Sequence, residues 1–169
     1  MIFRLGDAYR LQKKFWQALV YFEQAIELRP ENFWAYYRRA ESFQGLEDWQ
    51  MALPSYDQAI AVQPQAFWVY SQKGLILEKL GHYSQAIACY QTALDLSPKQ
   101  DALIYQQACC YAAMNQTNWA ITCLEKAITI SPPKYLALAN EDLVWQNYTS
   151  QSGFQSLIAT NQQKYQNLI

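Results

Sequence analysis

Residues 67–98 read FWVYSQKGLILEKLGHYSQAIACYQTALDLSP, and this stretch decides the fold because its markers recur at a fixed interval on both sides of it. Its closing proline belongs to the series Pro30, Pro64, Pro98 and Pro132, spaced 34 residues apart. Its two internal alanines, Ala86 and Ala93, belong to the series Ala18, Ala52, Ala86, Ala120 and Ala25, Ala59, Ala93, Ala127. Between each alanine pair stands a bulky apolar residue, Phe22, Tyr56, Tyr90 or Leu124, followed by Ile26, Ile60, Leu94 or Ile128 in the same register. A period in this range marks a stacked solenoid, in which each unit leaves an apolar face that only a neighbour can cover.

The markers Ala86, Tyr90 and Ala93 fall at i, i+4 and i+7, one face of an α-helix. Small residues on that face admit a second helix at close range, and the ring between them fills the gap. The prolines end these helices, since the residue before a proline is pushed out of the α region. Start signals follow, Asn32 in the second unit and Asp101 in the fourth, so each unit reads as a helical hairpin. The turn inside the hairpin falls at Gly45-Leu46-Glu47-Asp48, Gly81-His82 and Asn115-Gln116, where glycine or asparagine takes the left-handed conformation, and Asp48 caps the helix that follows. Pro54 falls inside that helix and predicts a local kink.

Composition narrows the function classes. The chain has 169 residues, 51% hydrophobic and 15% aromatic, enough to bury a continuous core. Thirteen basic residues face fourteen acidic ones, without the basic footprint that phosphate contacts require, so no nucleic-acid partner is expected. No apolar run approaches the length of a membrane span, and Arg4 and Asp7 stand where a signal peptide would be apolar; the expectation is a cytoplasmic protein with no membrane insertion. Cys89, Cys109, Cys110 and Cys123 show no metal-ligand spacing, and His82 does not complete a zinc set with them. No Ser-His or Cys-His set and no glycine-rich phosphate loop occurs, so neither a catalytic residue nor a metal or cofactor site is assigned.

At these fixed offsets the chain resembles the tetratricopeptide repeat family. The first unit shows Leu5, Gly6, Tyr9, Ala18, Phe22, Ala25 and Pro30; the third shows Tyr70, Gly74, Leu77, Ala86, Tyr90, Ala93 and Pro98. Ala40 and Ala108 replace the glycine in the second and fourth. The resemblance covers residues 1–134 as four units, 1–32, 33–66, 67–100 and 101–134. It implies an all-α fold, a right-handed α-α superhelix of antiparallel helix pairs. Residues 135–169 depart from the pattern, with Phe154 and Asn161 at the alanine positions. Thr149 to Gly153 separates a stretch Leu136 to Tyr148 from a last helix Phe154 to Tyr165, and the run Asp142, Trp145, Tyr148, Phe154, Leu157 resembles a closing segment that covers the end of the fourth unit. Met1 aligns with the third position of a repeat, so the expectation is either a chain cut from a longer solenoid or homo-association through an uncapped first unit.

The resemblance also implies a concave groove lined by positions two, five, six and nine of each unit. Those positions select Trp34, Tyr37, Arg38, Trp68, Gln72, Tyr105 and Gln106 as the partner-binding groove. Aromatics and arginine anchor interfaces because they bury much area with few rotamers to freeze. Packing of the tryptophans on neighbouring helices, and mutual i, i+3 pairing of Arg4 with Asp7 and Arg38 with Glu41, are the competing readings. Trp16, Trp49 and Trp119 read as core. The carboxylate clamp of the chaperone-binding branch is absent, its positions being Phe3, Asp7, Arg38, Trp68 and Gln72. The reading is a non-catalytic protein-protein interaction scaffold that takes a partner peptide or helix in its groove during complex assembly. The alternative is a regulatory or self-association segment of a larger multidomain protein.

Overall fold

Four residues with positive φ set the chain reversals: Lys13 (58°), Glu47 (59°), Gly81 (76°) and Asn115 (57°). In the computed structural model, which describes residues 1–166, they fall in short turns between successive helices. α1 (Ile2–Leu11) pairs with α2 (Phe15–Leu28), α3 (Phe33–Gly45) with α4 (Trp49–Val62) and α7 (Asp101–Ala113) with α8 (Thr117–Ile130), while α5 (Phe67–Lys79) and α6 (Tyr83–Leu96) stand before and after the Gly81 turn in sequence. Then follow α9 (Pro132–Glu141), a 3-10 turn (Leu143–Tyr148) and α10 (Ser152–Gln166). No strand occurs among the described residues. In the second turn the left-handed residue is Glu47 rather than Gly45. Gly45 instead ends α3 against the Phe15 ring, where a Cβ atom would come within 2.4 Å.

Caps and prolines set the helix ends. The side chains of Asn32 and Asp48 accept from Ala35 N–H and Met51 N–H, at 3.4 and 3.2 Å. Asp101 is the first residue of α7 rather than its cap, and its carboxylate turns to Tyr135 and Lys134. Helix α4 runs through Pro54, which lies on its exposed side, where water can replace the lost backbone donor.

The chain forms two compact units, Met1–His82 and the residues from Tyr83 on. In the first, α1 to α4 pack in succession and α5 packs on α4. Every alanine and ring of the repeat pattern is buried here: Ala18, Phe22, Ala25, Ala52, Tyr56 and Ala59. Full burial of one such ring stabilises by roughly 1.5–3 kcal/mol. Tyr56 keeps its hydroxyl satisfied by donating to Gln44 Oε1 at 2.8 Å.

In the second unit α6, α7 and α8 pack in succession, and α9, the 3-10 turn and α10 close onto α7 and α8. The stretch expected as one piece from Leu136 to Tyr148 is broken: Asp142 is extended (ψ 129°) and a 3-10 turn follows. The break aims the Asp142 carboxylate at Tyr105, whose hydroxyl donates to it at 2.5 Å. Trp145, fully buried, donates its indole N–H to the same phenol oxygen at 3.1 Å, and Tyr148 donates to Ala112 O at 3.0 Å. Two tryptophans expected in the core lie outside it. Trp16 and Trp119 are 66% and 60% exposed, Trp119 stacking on Tyr111, whereas Trp49, also in the first turn of its helix, is partly buried against the core of the first unit.

Candidate functional site

Helices α3 and α5 open with the same dipeptide, Phe33-Trp34 and Phe67-Trp68. Neighbouring helical residues point about 100° apart, so burying Phe33 turns Trp34 outward, and Trp34 is 47% exposed. The rings form a continuous array. Phe33 lies 5.0 Å from Trp34 and 6.3 Å from Trp68, edge to face in both cases, and Trp68 meets Phe67 in the same manner at 5.5 Å. Such pairs are worth about 0.5–1.5 kcal/mol beyond their area, so the array holds its shape.

One turn after Trp34, Arg38 lays its guanidinium over the Trp34 and Tyr37 rings at 5.5 and 5.6 Å. The same group closes a ring of four charges. Arg38 reaches Glu41 at 2.6 Å and Asp7 at 3.6 Å, while Arg10 reaches Asp7 at 2.9 Å and Glu41 at 3.5 Å. The expected Arg38–Glu41 pair is present. Asp7 pairs with Arg10, at i+3 on its own helix, and with Arg38 of α3, rather than with Arg4. Beside the ring opens a cleft of about 450 Å³, lined by Arg10, Glu41, Gln44, Glu47, Trp49 and Gln72 among others.

Tyr37 stands beneath this surface, 9% exposed. Burial, with the Glu41 carboxylate adding to it, raises its phenol above the ordinary value, so it stays neutral. Trp34, Tyr37, Arg38, Trp68 and Gln72 therefore belong to one region of the first unit. Tyr105 and Gln106 belong to the second, where Gln106 is half-buried and Tyr105, 6% exposed, is covered by Tyr135 and Trp145. Burial drives the Tyr105 phenol far up as well. Sequence reasoning missed Arg10, although its i, i+3 spacing from Asp7 was a usable signal. The Tyr105–Asp142 bridge spans 37 residues and left no local trace.

Among the described residues no group of three or more His, Cys, Asp or Glu side chains is arranged to hold a metal ion, and no helix is long and apolar enough to cross a membrane.

The tetratricopeptide repeat pattern matches residues 2–32, 67–100 and 102–134, and the chain belongs to that family. The fold agrees. MamA from Desulfovibrio magneticus RS-1 is similar at 17% identity and a TM-score of 0.76, over 95% of this chain and 93% of that one. A second MamA structure gives 17% and 0.78, over 96% and 95%. YrrB, a tetratricopeptide protein described as having an unusual peptide-binding site, gives 16% and 0.77, over 95% and 82%. No curated protein matches the sequence significantly.

Proposed function

We propose that the protein is a non-catalytic scaffold that captures a segment of a partner protein on the face built by Trp34, Arg38, Trp68 and Gln72, in the service of complex assembly in the cytoplasm. The observation that carries this reading is Trp34. A half-exposed indole, propped by Phe33 and clamped by Arg38, is a preorganised anchor of the kind that dominates interfaces. The adjoining cleft and Gln72 extend the surface. The peptide-binding site described for YrrB supports the same use of the fold. In this reading α9 to α10 cap the last repeat.

The test is selection of peptides from a random display library on the intact protein, followed by affinity measurements with Trp34→Ala and Trp68→Ala. Loss of each indole weakens the selected peptides at least tenfold while the helical circular dichroism is unchanged. Peptides that bind both variants as tightly as the parent defeat the proposal.

Self-association through the first unit is a second reading, and Leu5 favours it. At the positions 34, 68 and 102 residues further on stand Arg39, Lys73 and Gln107, polar residues that tie one helix to the preceding hairpin. Leu5 is apolar and exposed, as are Trp16 and Val20 on α2. Leu5→Lys then dissociates a dimer seen by light scattering; a parent protein monomeric at high concentration removes the reading.

A further inference from the structure

We infer that the cleft beside the ring of charges takes a lysine or arginine side chain of the captured segment, held by the Glu47 carboxylate and the Trp49 ring. The inference rests on the capture reading above and names the chemistry of one residue of the partner.

Charge is the first argument. Among the described residues three charged side chains line this cleft of about 450 Å³, Arg10, Glu41 and Glu47. The first two are spent, because Arg10 bridges Asp7 at 2.9 Å and Glu41 at 3.5 Å inside a ring that is neutral once Arg38 is counted. Glu47 is exposed, and among the described residues its carboxylate meets neither a cation nor a hydrogen-bond donor. The turn does not account for a glutamate either. Its counterparts at the 34-residue interval are Lys13, Gly81 and Asn115, and in the left-handed conformation that all four adopt a glutamate gains nothing over glycine. Gln44 and Gly45, which also line the cleft, close α3, so the negative end of that helix's dipole lies there as well. A cation is favoured on both counts. An acidic side chain would be repelled by Glu47 and would find Arg10 already engaged.

Ring chemistry is the second argument, and it is independent of the first. Three times the chain builds one arrangement, a cation over an aromatic ring and paired with a carboxylate: Arg38 over Trp34 with Glu41, Arg39 over Tyr36 with Glu23, and Lys134 over Tyr135 with Asp101. Trp49 and Glu47 bring the ring and the carboxylate to one cleft, and among the described residues no cation lies over Trp49. A partner's basic side chain completes the set. Gln72, half-buried on the same cleft, makes no hydrogen bond within the described chain and offers its amide oxygen as a further acceptor. Because Trp49 is partly buried against the core of the first unit, a cation on it is worth more than an exposed ion pair alone.

The experiment titrates the full chain with four acetylated, amidated alanine-glutamine peptides of equal length that differ in one central residue: arginine, lysine, glutamine or glutamate. The Trp49 indole N–H resonance is followed by NMR and assigned with Trp49→Phe. The expected result is a saturable shift with the arginine and lysine peptides alone, weakening as salt is raised. Glu47→Gln weakens that binding about fivefold, and Glu47→Lys abolishes it. Since the Glu47 side chain bonds to nothing in the described chain, both variants keep the parent's helical circular dichroism. Glu125→Gln, which removes an exposed carboxylate on α8, leaves binding unchanged. No shift of Trp49 with either basic peptide, an equal shift with the glutamine or glutamate peptide, or equal weakening by Glu125→Gln and Glu47→Gln overturns the inference. Library-selected peptides separate the two levels: sequences that need Trp34 yet bind Glu47→Gln as tightly as the parent leave the capture face standing and remove the basic residue. Sequences indifferent to both Trp34 and Glu47 remove both.

Discussion

Lys13, Glu47, Gly81 and Asn115 hold one left-handed backbone conformation in four successive turns, yet only the glycine does so without a steric penalty. A Cβ atom at Gly81 meets nothing within 4 Å, so a substitution there reports backbone strain alone. Gly81→Ala is expected to cost about 1 kcal/mol in urea unfolding, with an unchanged slope. Asp101 supplies a second single-residue test. Its carboxylate accepts from the Tyr135 hydroxyl at 2.7 Å and from Lys134 at 3.2 Å, and these bonds, the tyrosine's foremost, hold its carboxyl below the ordinary value. A folded value below the unfolded one contributes stability above the unfolded value, and that contribution disappears as pH falls through the folded value. Asp101→Asn therefore lowers the melting temperature at neutral pH, and its deficit against the parent closes below about pH 4. A deficit that persists in acid excludes the ionised pair as its source.

At the scale of elements, α9 is the informative helix because it keeps the repeat's register and loses its shape. Trp145 stands 34 residues after Tyr111, in phase with Phe43 and Leu77, so the break at Asp142 does not shift the ring that fills the gap. Continuing the helix regularly would deny Tyr105 its acceptor. The sequence also places Glu125 and Glu141 at the positions where Gln91 and Gln107 bond to each other one unit earlier, and like charges there do not favour an extended α9. Trp145→Ala removes a fully buried ring and is expected to cost about 3–5 kcal/mol. Tyr105→Phe keeps the ring and strands the Asp142 and Trp145 partners, at about 1–3 kcal/mol. Hydrogen exchange checks both: amides of α9 and α10 lose protection in each variant, and unchanged protection in Tyr105→Phe means that the bridge contributes nothing.

Across the whole molecule one cross-link recurs at a sequence separation of 16 residues. Arg39 bonds to Glu23 at 2.8 Å, Lys73 to Asp57 at 2.5 Å, and Gln107 to Gln91 at 3.2 Å. Its strength is uneven. Arg39 also donates to Ser55 at 3.0 Å and to Gln58, and lies over the Tyr36 ring at 5.5 Å, whereas the Lys73 pair is largely exposed. Thermal unfolding should show Arg39→Ala losing about 1–2 kcal/mol and Lys73→Ala at most about 0.5 kcal/mol. Equal losses would assign the stabilisation to a charge pair rather than to the guanidinium's stacking and added bonds.

The 34-residue period by itself determined the helices, the places of their turns and the buried alanine-ring-alanine faces, because those depend on residues within one or two helical turns of each other. The family resemblance selected Trp34, Arg38, Trp68 and Gln72, which lie on α3 and α5. Three things were decided only in the folded chain. The outward turn of Trp16 and Trp119, the closure of Asp7, Arg10, Arg38 and Glu41 into one ring of charge, and the burial of Tyr105 under Trp145 all depend on which side chain a neighbouring helix brings near. Periodicity says which face of a helix is apolar. Whether an aromatic on that face ends as filler or as contact surface depends on what packs over it, and that is a property of distant sequence brought close.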